Sequence, residues 1–365
     1  MKIFLRNFIK ENFNFLGHKI SHINYDKFLK YNKTFTNYLK HGISGNNLFA
    51  RLLNPSFIQN LYTSKDKSYF KFLNEFKDRF KDYDVIVMNP GHDLVHPEFL
   101  HKNFKNSLKV LHFIDDPHQT YNYGLAYSWV FDAATYISPS YSEDIDMAQL
   151  LSLAGFKSTY WMPQTIANIN PPKWTVAELE KQLKTRNKQA VYFGNFYKNK
   201  MDRLITLKKK LKNNFEIYGK FPLKGFSFFA YSLLKKNPLM YLPKSYSSAE
   251  ERDKVYEKIA IGINMHLSHP AIETGNTRTY ELPYNGVAQI VDISKVSLIN
   301  KIFEPNKEIL TYESIDECIY QIKRLIEDDD LRCKIALAGY KKAIKEYSYE
   351  KTLKNLISWF EKLTH

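Results

Sequence analysis

Three stretches of the chain hold residue types whose spacing could do chemistry. The richest is Glu273-Thr274-Gly275-Asn276-Thr277-Arg278-Thr279-Tyr280-Glu281-Leu282-Pro283-Tyr284-Asn285-Gly286. Two carboxylates, Glu273 and Glu281, are separated by seven residues with a Gly-Asn turn between them. Asn276 suits the N-cap of a short helix that stops near Gly286. Glu273 then belongs to a loop and Glu281 to the helix, so both can face one ligand from different sides. Pro283 removes a helix hydrogen bond and keeps that helix short.

The second stretch runs from Gly194 and Asn195 to Lys200 and Arg203. A strand that ends in glycine, as at Gly194 and again at Gly219, lets backbone approach a ligand closely. The helix start that follows offers free N–H groups to a phosphate. Lys200 and Arg203, three apart, share one helical face and could neutralise a diphosphate; the same pattern also suits a solvated basic face. The third stretch, Ile114-Asp115-Asp116-Pro117-His118-Gln119, sets adjacent carboxylates beside a histidine, a set that could bind a metal or serve as acid and base. No further metal ligands are suggested. Asp115, Asp116 and His118 read as lining one side of a cleft, against the alternative of a structural turn, and no metal is expected.

Other polar residues are weaker candidates. His92 and His96 lack a cysteine or third histidine and read as surface residues, not as a zinc pair. His266 reads equally as touching a ligand or as a satisfied core histidine. Asp144, Asp146 and Asp328 to Asp330 fall at helix starts or exposed ends, where acid complements the helix dipole.

The elements that would position these residues alternate between strand and helix. A first strand covers residues 1–5, and 7–80 is rich in Phe, Tyr, Asn and Lys at mostly helical spacing. Buried strands follow at 84–91 and 108–117, then a shorter one at 134–138, a helix at 142–154 and a strand at 157–162. Residues 168–174 have the punctuation of a domain junction. A second unit starts with a strand at 190–194, a helix at 199–212 and a strand at 215–219. After a Lys-, Phe- and Pro-containing excursion at 221–246 come a helix at 248–258, a strand at 259–267, the short helix after Asn276 and a strand at 288–292. Helices near 313–328, 330–346 and 349–363 close the chain. This alternation predicts an α/β class with parallel sheets. The expected division is 1–170, 187–345 and a last helix, 346–365, crossing back to the first unit, with a ligand at the carboxyl ends of both sheets.

At this point the sequence resembles glycosyltransferases of the GT-B fold, two Rossmann-like domains facing across a cleft, and among them the spore-maturation-protein-like (CgeB-like) group. The segment Gly275 to Gly286 is similar to that group's G-N-x-R-x-F-E-x-P-A-x-G pattern, and Glu273 with Glu281 satisfies the E-x7-E spacing of the large retaining GT-B family. Ile302-Phe303-Glu304-Pro305 and Ile335-Ala336-Leu337-Ala338-Gly339-Tyr340 resemble the group's closing pattern, and His112 to Pro117 its aspartate–proline strand end. The resemblance implies a nucleoside-diphosphate sugar as donor substrate, no cofactor, and a glycan, lipid-linked or protein acceptor. It implies that Glu281 binds the donor ribose, that Glu273 lies near the donor sugar, and that Lys200 with Arg203 holds the diphosphate. Gly275, Asn276, Thr277 and Arg278 would supply N–H groups and charge beside it, with Gly194, Asn195 and Gly219 on the same edge. Glu273, Asp115, Asp116 and His118 are the expected catalytic set. A GT-B epimerase and a non-catalytic sugar- or nucleic-acid-binding protein are the alternatives.

Composition limits these readings. The chain has 365 residues, 44% of them hydrophobic and 15% aromatic, enough for two cores and too much for a disordered chain. Cys318 and Cys333 alone make no disulfide framework and fit a reducing cytoplasm. No apolar run approaches the ~18 residues of a spanning helix, and the start lacks a signal peptide's apolar region. The net charge of +15 is concentrated: residues 1–80 carry +9, residues 201–245 carry +8, and the remainder sums to −2. Basic residues among aromatics over 205–245 suit anionic lipid headgroups or single-stranded nucleic acid, and AT-rich coding produces the same letters. With a sugar-transfer site alongside, the expectation is a cytoplasmic protein, peripheral on the inner face of a membrane, with nucleic acid disfavoured.

Overall fold

A computed structural model describes residues 1–5, 12–23, 67–89, 95–113, 124–138, 145–164, 172–194, 198–219, 230, 233–234, 244–245, 249–266, 276–293 and 299–364. The first part contains strands β1 (Lys2–Leu5), β2 (Phe13–Phe15) and β3 (His18–Ser21), helix α1 (Lys67–Phe80), β4 (Val85–Met88) and α2 (Pro97–Asn103). It continues with β5 (Leu108–Phe113), β6 (Ala133–Tyr136), α3 (Met147–Leu153) and β7 (Ser158–Trp161). These strands form one sheet in the order β2-β3-β1-β4-β5-β6-β7, with every neighbour parallel except the β2–β3 pair.

That antiparallel pair corrects the helical reading of the segment after the first strand. Leu16 and Gly17, at φ 50° and 79°, form a two-residue turn with positive φ at both positions. Such a turn matches the twist of a hairpin. β3 then returns to pair parallel with β1.

Strand alternation divides the first sheet's side chains between two buried faces, as a parallel sheet requires. Phe4, Ile86, Met88 and Leu111 meet Phe72, Phe76 and Phe80 of α1. Ile3, Leu5, Val85, Val87 and Val110 face the other way, onto Leu353, Leu356, Ile357 and Phe360 near the end of the chain.

The second part begins with α4 (Val176–Leu183), β8 (Asn187–Phe193), α5 (Lys198–Leu211), β9 (Phe215–Gly219), β10 (Lys244–Ser245) and α6 (Ala249–Tyr256). It continues through β11 (Ile259–Asn264), α7 (Thr277–Tyr284), β12 (Ala288–Asp292), α8 (Ile299–Ile302) and β13 (Leu310–Tyr312). The closing helices are α9 (Ile315–Glu327), α10 (Asp329–Glu346) and α11 (Tyr349–Thr364). Its sheet runs β10-β9-β8-β11-β12-β13, parallel throughout. Counted within this part, that is strand order 3-2-1-4-5-6, the doubly wound arrangement, whose reversal point lies between β8 and β11.

β13 is not evident in the sequence, because Leu310-Thr311-Tyr312 is too short to show a period. β11 stops at Asn264, three residues before the expected end. α11 leaves the second sheet and covers a face of the first, where Trp359 stacks on Tyr160 at 5.3 Å and donates its indole N–H to Ser158 Oγ at 3.2 Å.

Candidate functional site

The carboxyl edge of the second sheet is assembled around the start of α7. Asn276 has extended backbone, and its Oδ1 accepts from the N–H groups of Arg278 and Thr279 at 2.9 and 3.3 Å, an N-cap in the sense the sequence predicts. The cap is itself tied down: Asn276 Nδ2 donates to Asn264 Oδ1 at 2.8 Å, and Asn264 Nδ2 donates to Thr279 Oγ1 and to Gln289 Oε1 at 3.0 and 3.1 Å.

Pro283 lies inside the helix and has no N–H for the carbonyl of Thr279, four residues back. Gln289 Nε2 of β12 donates to that carbonyl at 3.2 Å and replaces the missing bond. At the far end Gly286 turns the chain at φ 64°, and Arg186 Nη1 donates to the carbonyls of Asn285 and Gly286, both at 2.9 Å. The Arg186 guanidinium also packs over Trp174, and burial lowers its pKa to about 10.

Gly194 follows β8 at the reversal point. A Cβ there would meet the Tyr192 hydroxyl and lie 3.1 Å from Arg278 Nη2, so the Arg278 guanidinium reaches the end of β8 beside a position that Tyr192 keeps free of a side chain. Gly194 N–H donates to the Tyr218 carbonyl at 3.1 Å, which places Gly219 beside it on the same edge. Lys200 of α5 is buried and donates to the Met265 carbonyl at 2.6 Å. Arg203, one turn later, pairs with Asp292 Oδ2 at 2.9 Å and lies over the Tyr312 ring. The two cations thus share one edge but have different partners, a carbonyl for one and a buried carboxylate for the other.

Glu281 sits one turn into α7 with its side chain 5% exposed. Oε1 is 3.1 Å from Arg252 Nη2 of α6, and Oε2 accepts from the Tyr256 hydroxyl at 3.4 Å. Burial pushes the Glu281 carboxyl up, against the opposing pull of Arg252 and Arg278.

His266 lies just beyond β11, and Asp292 ends β12. Asp292 Oδ1 accepts from both the backbone N–H and Nδ1 of His266 at 2.8 Å. Burial alone would raise the Asp292 carboxyl, but His266 and Arg203 bring it down to about 2.

Sequence reading named Gly194, Gly219, Lys200, Arg203, Asn276, Thr277, Arg278 and Glu281, and all eight lie along this edge or in the helix that starts from it. Glu273, Gly275, Asn195, Asp115, Asp116 and His118 lie outside the described residues. So does His92, while His96 caps α2 by accepting from Glu98 N–H at 3.3 Å. Sequence reading missed Arg252, Tyr256, Asn264 and Gln289, which are adjacent only in space. It also missed Asp292, although an acid closing the mostly apolar strand β12 was a visible signal. Among the described residues no group of three or more His, Cys, Asp and Glu is placed to hold a metal ion, and no helix is long and apolar enough to cross a membrane.

Residues 203–358 match the family model described as glycosyl transferase-like, a span that contains α7, β12 and Asp292. No curated protein matches the chain by sequence. Among solved structures, Anabaena Alr3699/HepE in complex with UDP and glucose is 12% identical at a TM-score of 0.58, over 80% of this chain and 82% of that one. Sucrose-phosphate synthase (tll1590) from Thermosynechococcus elongatus is 15% identical at 0.57, over 83% and 80%. A glycosyltransferase from Rickettsia africae ESF-5 is 13% identical at 0.56, over 82% and 83%. The fold is GT-B. The reversal point of the second sheet lies past the ends of β8 and β11, at Gly194 and His266, the position at which open α/β sheets bind ligands.

Proposed function

We propose that the protein transfers a sugar from a nucleoside-diphosphate sugar to a glycan, lipid-linked or protein acceptor. The observation that carries this reading is the convergence of Gly194, Lys200, Arg278 and the capped start of α7 on the reversal point of the second sheet, with Arg278 and α7 inside the matched span. Departure of a nucleoside diphosphate places negative charge on its phosphates. Fixed cations and helix N–H groups stabilise that charge without reorganising during the reaction.

In this reading Lys200 and Arg278 serve the diphosphate directly. Arg203, committed to Asp292, contributes field. Glu281 takes the ribose hydroxyls on lone pairs that Arg252 and Tyr256 leave open, since a carboxylate can accept about four hydrogen bonds. Glu273 lies near the donor sugar, and Asp115, Asp116 and His118 serve the acceptor side. The closer kinship we infer is with the CgeB-like group, on the Gly275-to-Gly286 pattern. The reaction needs no metal, and the basic segments bring the protein to the inner face of a membrane.

A thermal-shift screen of nucleoside diphosphates and their sugars tests the donor half. A donor at about 100 times its dissociation constant stabilises the protein by ~2.7 kcal/mol. A panel of uridine, guanosine, adenosine and cytidine diphosphates that gives no shift sinks the reading. Donor consumption that requires added acceptor separates transfer from epimerisation.

A further inference from the structure

The hydrogen bonds around His266 determine where its proton sits. Asp292 is ionised at neutral pH, held on one oxygen by the His266 backbone N–H and Nδ1 at 2.8 Å and on the other by Arg203 at 2.9 Å. An ionised oxygen only accepts, so Nδ1 of His266 carries the proton. The backbone N–H of Asn276 points at Nε2 at 3.4 Å. That group only donates, so Nε2 presents its lone pair and the ring is neutral. The ring is 7% exposed and lies between the end of β12 and the N-cap of α7.

We infer that His266 is a positioning residue for the donor site, holding the start of α7 through Asn276 only while its Nε2 is unprotonated. Protonation replaces the acceptor with a second donor facing the Asn276 N–H. The two repel, and the residue whose side chain caps Arg278 and Thr279 loses its backbone anchor and keeps only the side-chain tie to Asn264. The proton comes from water and returns there, and no covalent bond changes. The effect on nucleotide rests on the proposed donor site; the hydrogen bond itself does not.

Among the described residues, the charged and titratable groups around the ring come from four elements. Asp292 of β12 favours the imidazolium. Arg203 and Lys200 of α5 oppose it, the latter from the neighbouring Met265 carbonyl. Tyr312 of β13 and Cys318 of α9 stand behind Arg203 and Asp292.

Amide hydrogen exchange of residues 276–284, corrected for intrinsic rates, tests this without any nucleotide. His266→Gln is the informative variant, because its amide oxygen can accept from Asn276 but cannot gain a proton. From about pH 8 to about pH 5.5, protection of the first turn should fall in the wild type, by at most about tenfold per pH unit for one proton, and stay level in His266→Gln. Asp292→Asn removes the counter-ion and should move the fall to lower pH, which keeps the test open if the Gln variant does not fold.

Calorimetry with UDP and GDP supplies the functional arm. The ratio of wild-type to His266→Gln affinity should fall over the same range, and the ligand's own phosphate titration cancels in that ratio. Parallel exchange profiles in wild type and variant, or a flat affinity ratio, overturn the inference. A pH step in exchange with no nucleotide bound at any pH supports the His266–Asn276 link and sinks the donor reading instead.

Discussion

Glu281 is where the proposed ribose contact and the packing of α7 meet on one carboxylate. Truncating it to alanine would leave half-buried Arg252 with Asp253 alone and remove the acceptor of the Tyr256 hydroxyl, so loss of binding in that variant would mix two causes. Glu281→Gln keeps the shape and an acceptor for Tyr256. It should stay folded while nucleoside diphosphate affinity falls ~10- to 100-fold, the loss of a charge-assisted hydrogen bond of ~1.5–3 kcal/mol; calorimetry beside urea unfolding checks both halves. Asp292 gives a second prediction at this scale. Its folded pKa of about 2 lies below the ordinary 3.8, so its stabilisation is present above the unfolded value and is lost as pH falls through about 2. Between about pH 5 and about pH 2 the wild type should lose roughly 2 kcal/mol more than Asp292→Asn, measured as the pH dependence of the urea midpoint. Glu281 has the opposite sign, because burial raises its carboxyl and acid relieves that cost. The sequence marked Glu281 as chemically important, and it could not show Arg252 and Tyr256, which come from α6, the helix that precedes β11 in the chain.

α7 shows how one element is held at both ends and braced in the middle. Asn276 caps its start, Arg186 binds the two carbonyls just past its end, and Gln289 occupies the place of the bond that Pro283 cannot make. Gln289→Leu should cost ~1–3 kcal/mol by leaving the Thr279 carbonyl and Asn264 Nδ2 short of a partner. Pro283→Ala restores an N–H to that carbonyl, so the double variant should recover at least ~0.5 kcal/mol over the additive expectation, measured by a chemical-denaturation cycle. Gly286 is constrained twice: its φ is 64°, and a Cβ would lie 2.5 Å from Leu179 Cδ1. Gly286→Ala should therefore destabilise by ~1–3 kcal/mol, read as a lowered urea midpoint at unchanged m-value. The cap, the short helix and the terminal glycine were legible from local spacing, since each depends on backbone groups within a few residues. The brace was not, because Gln289 reads as an unremarkable polar residue until β12 is placed beside α7.

Across the whole molecule, α11 joins the end of the chain to the first sheet. Phe360 is fully buried against that sheet, so Phe360→Ala should cost ~3–5 kcal/mol. The loss should appear as reduced exchange protection in β1 and β4, hundreds of residues away in sequence. Strand and helix alternation, the apolar runs of β4, β5, β11 and β12, and the glycines and caps at strand and helix ends were determined by the sequence alone, because period and turn chemistry act over a few residues. The hairpin of β2 and β3 escaped, since its signal is a Leu-Gly turn between three- and four-residue strands. Only the tertiary structure decided which side chains satisfy one another: Arg252 on Glu281, Asp292 between His266 and Arg203, Gln289 on the Thr279 carbonyl. Desolvation makes each of these polar groups depend on a partner, and the order of strands in the sheet, not distance along the chain, determines which partner is in reach.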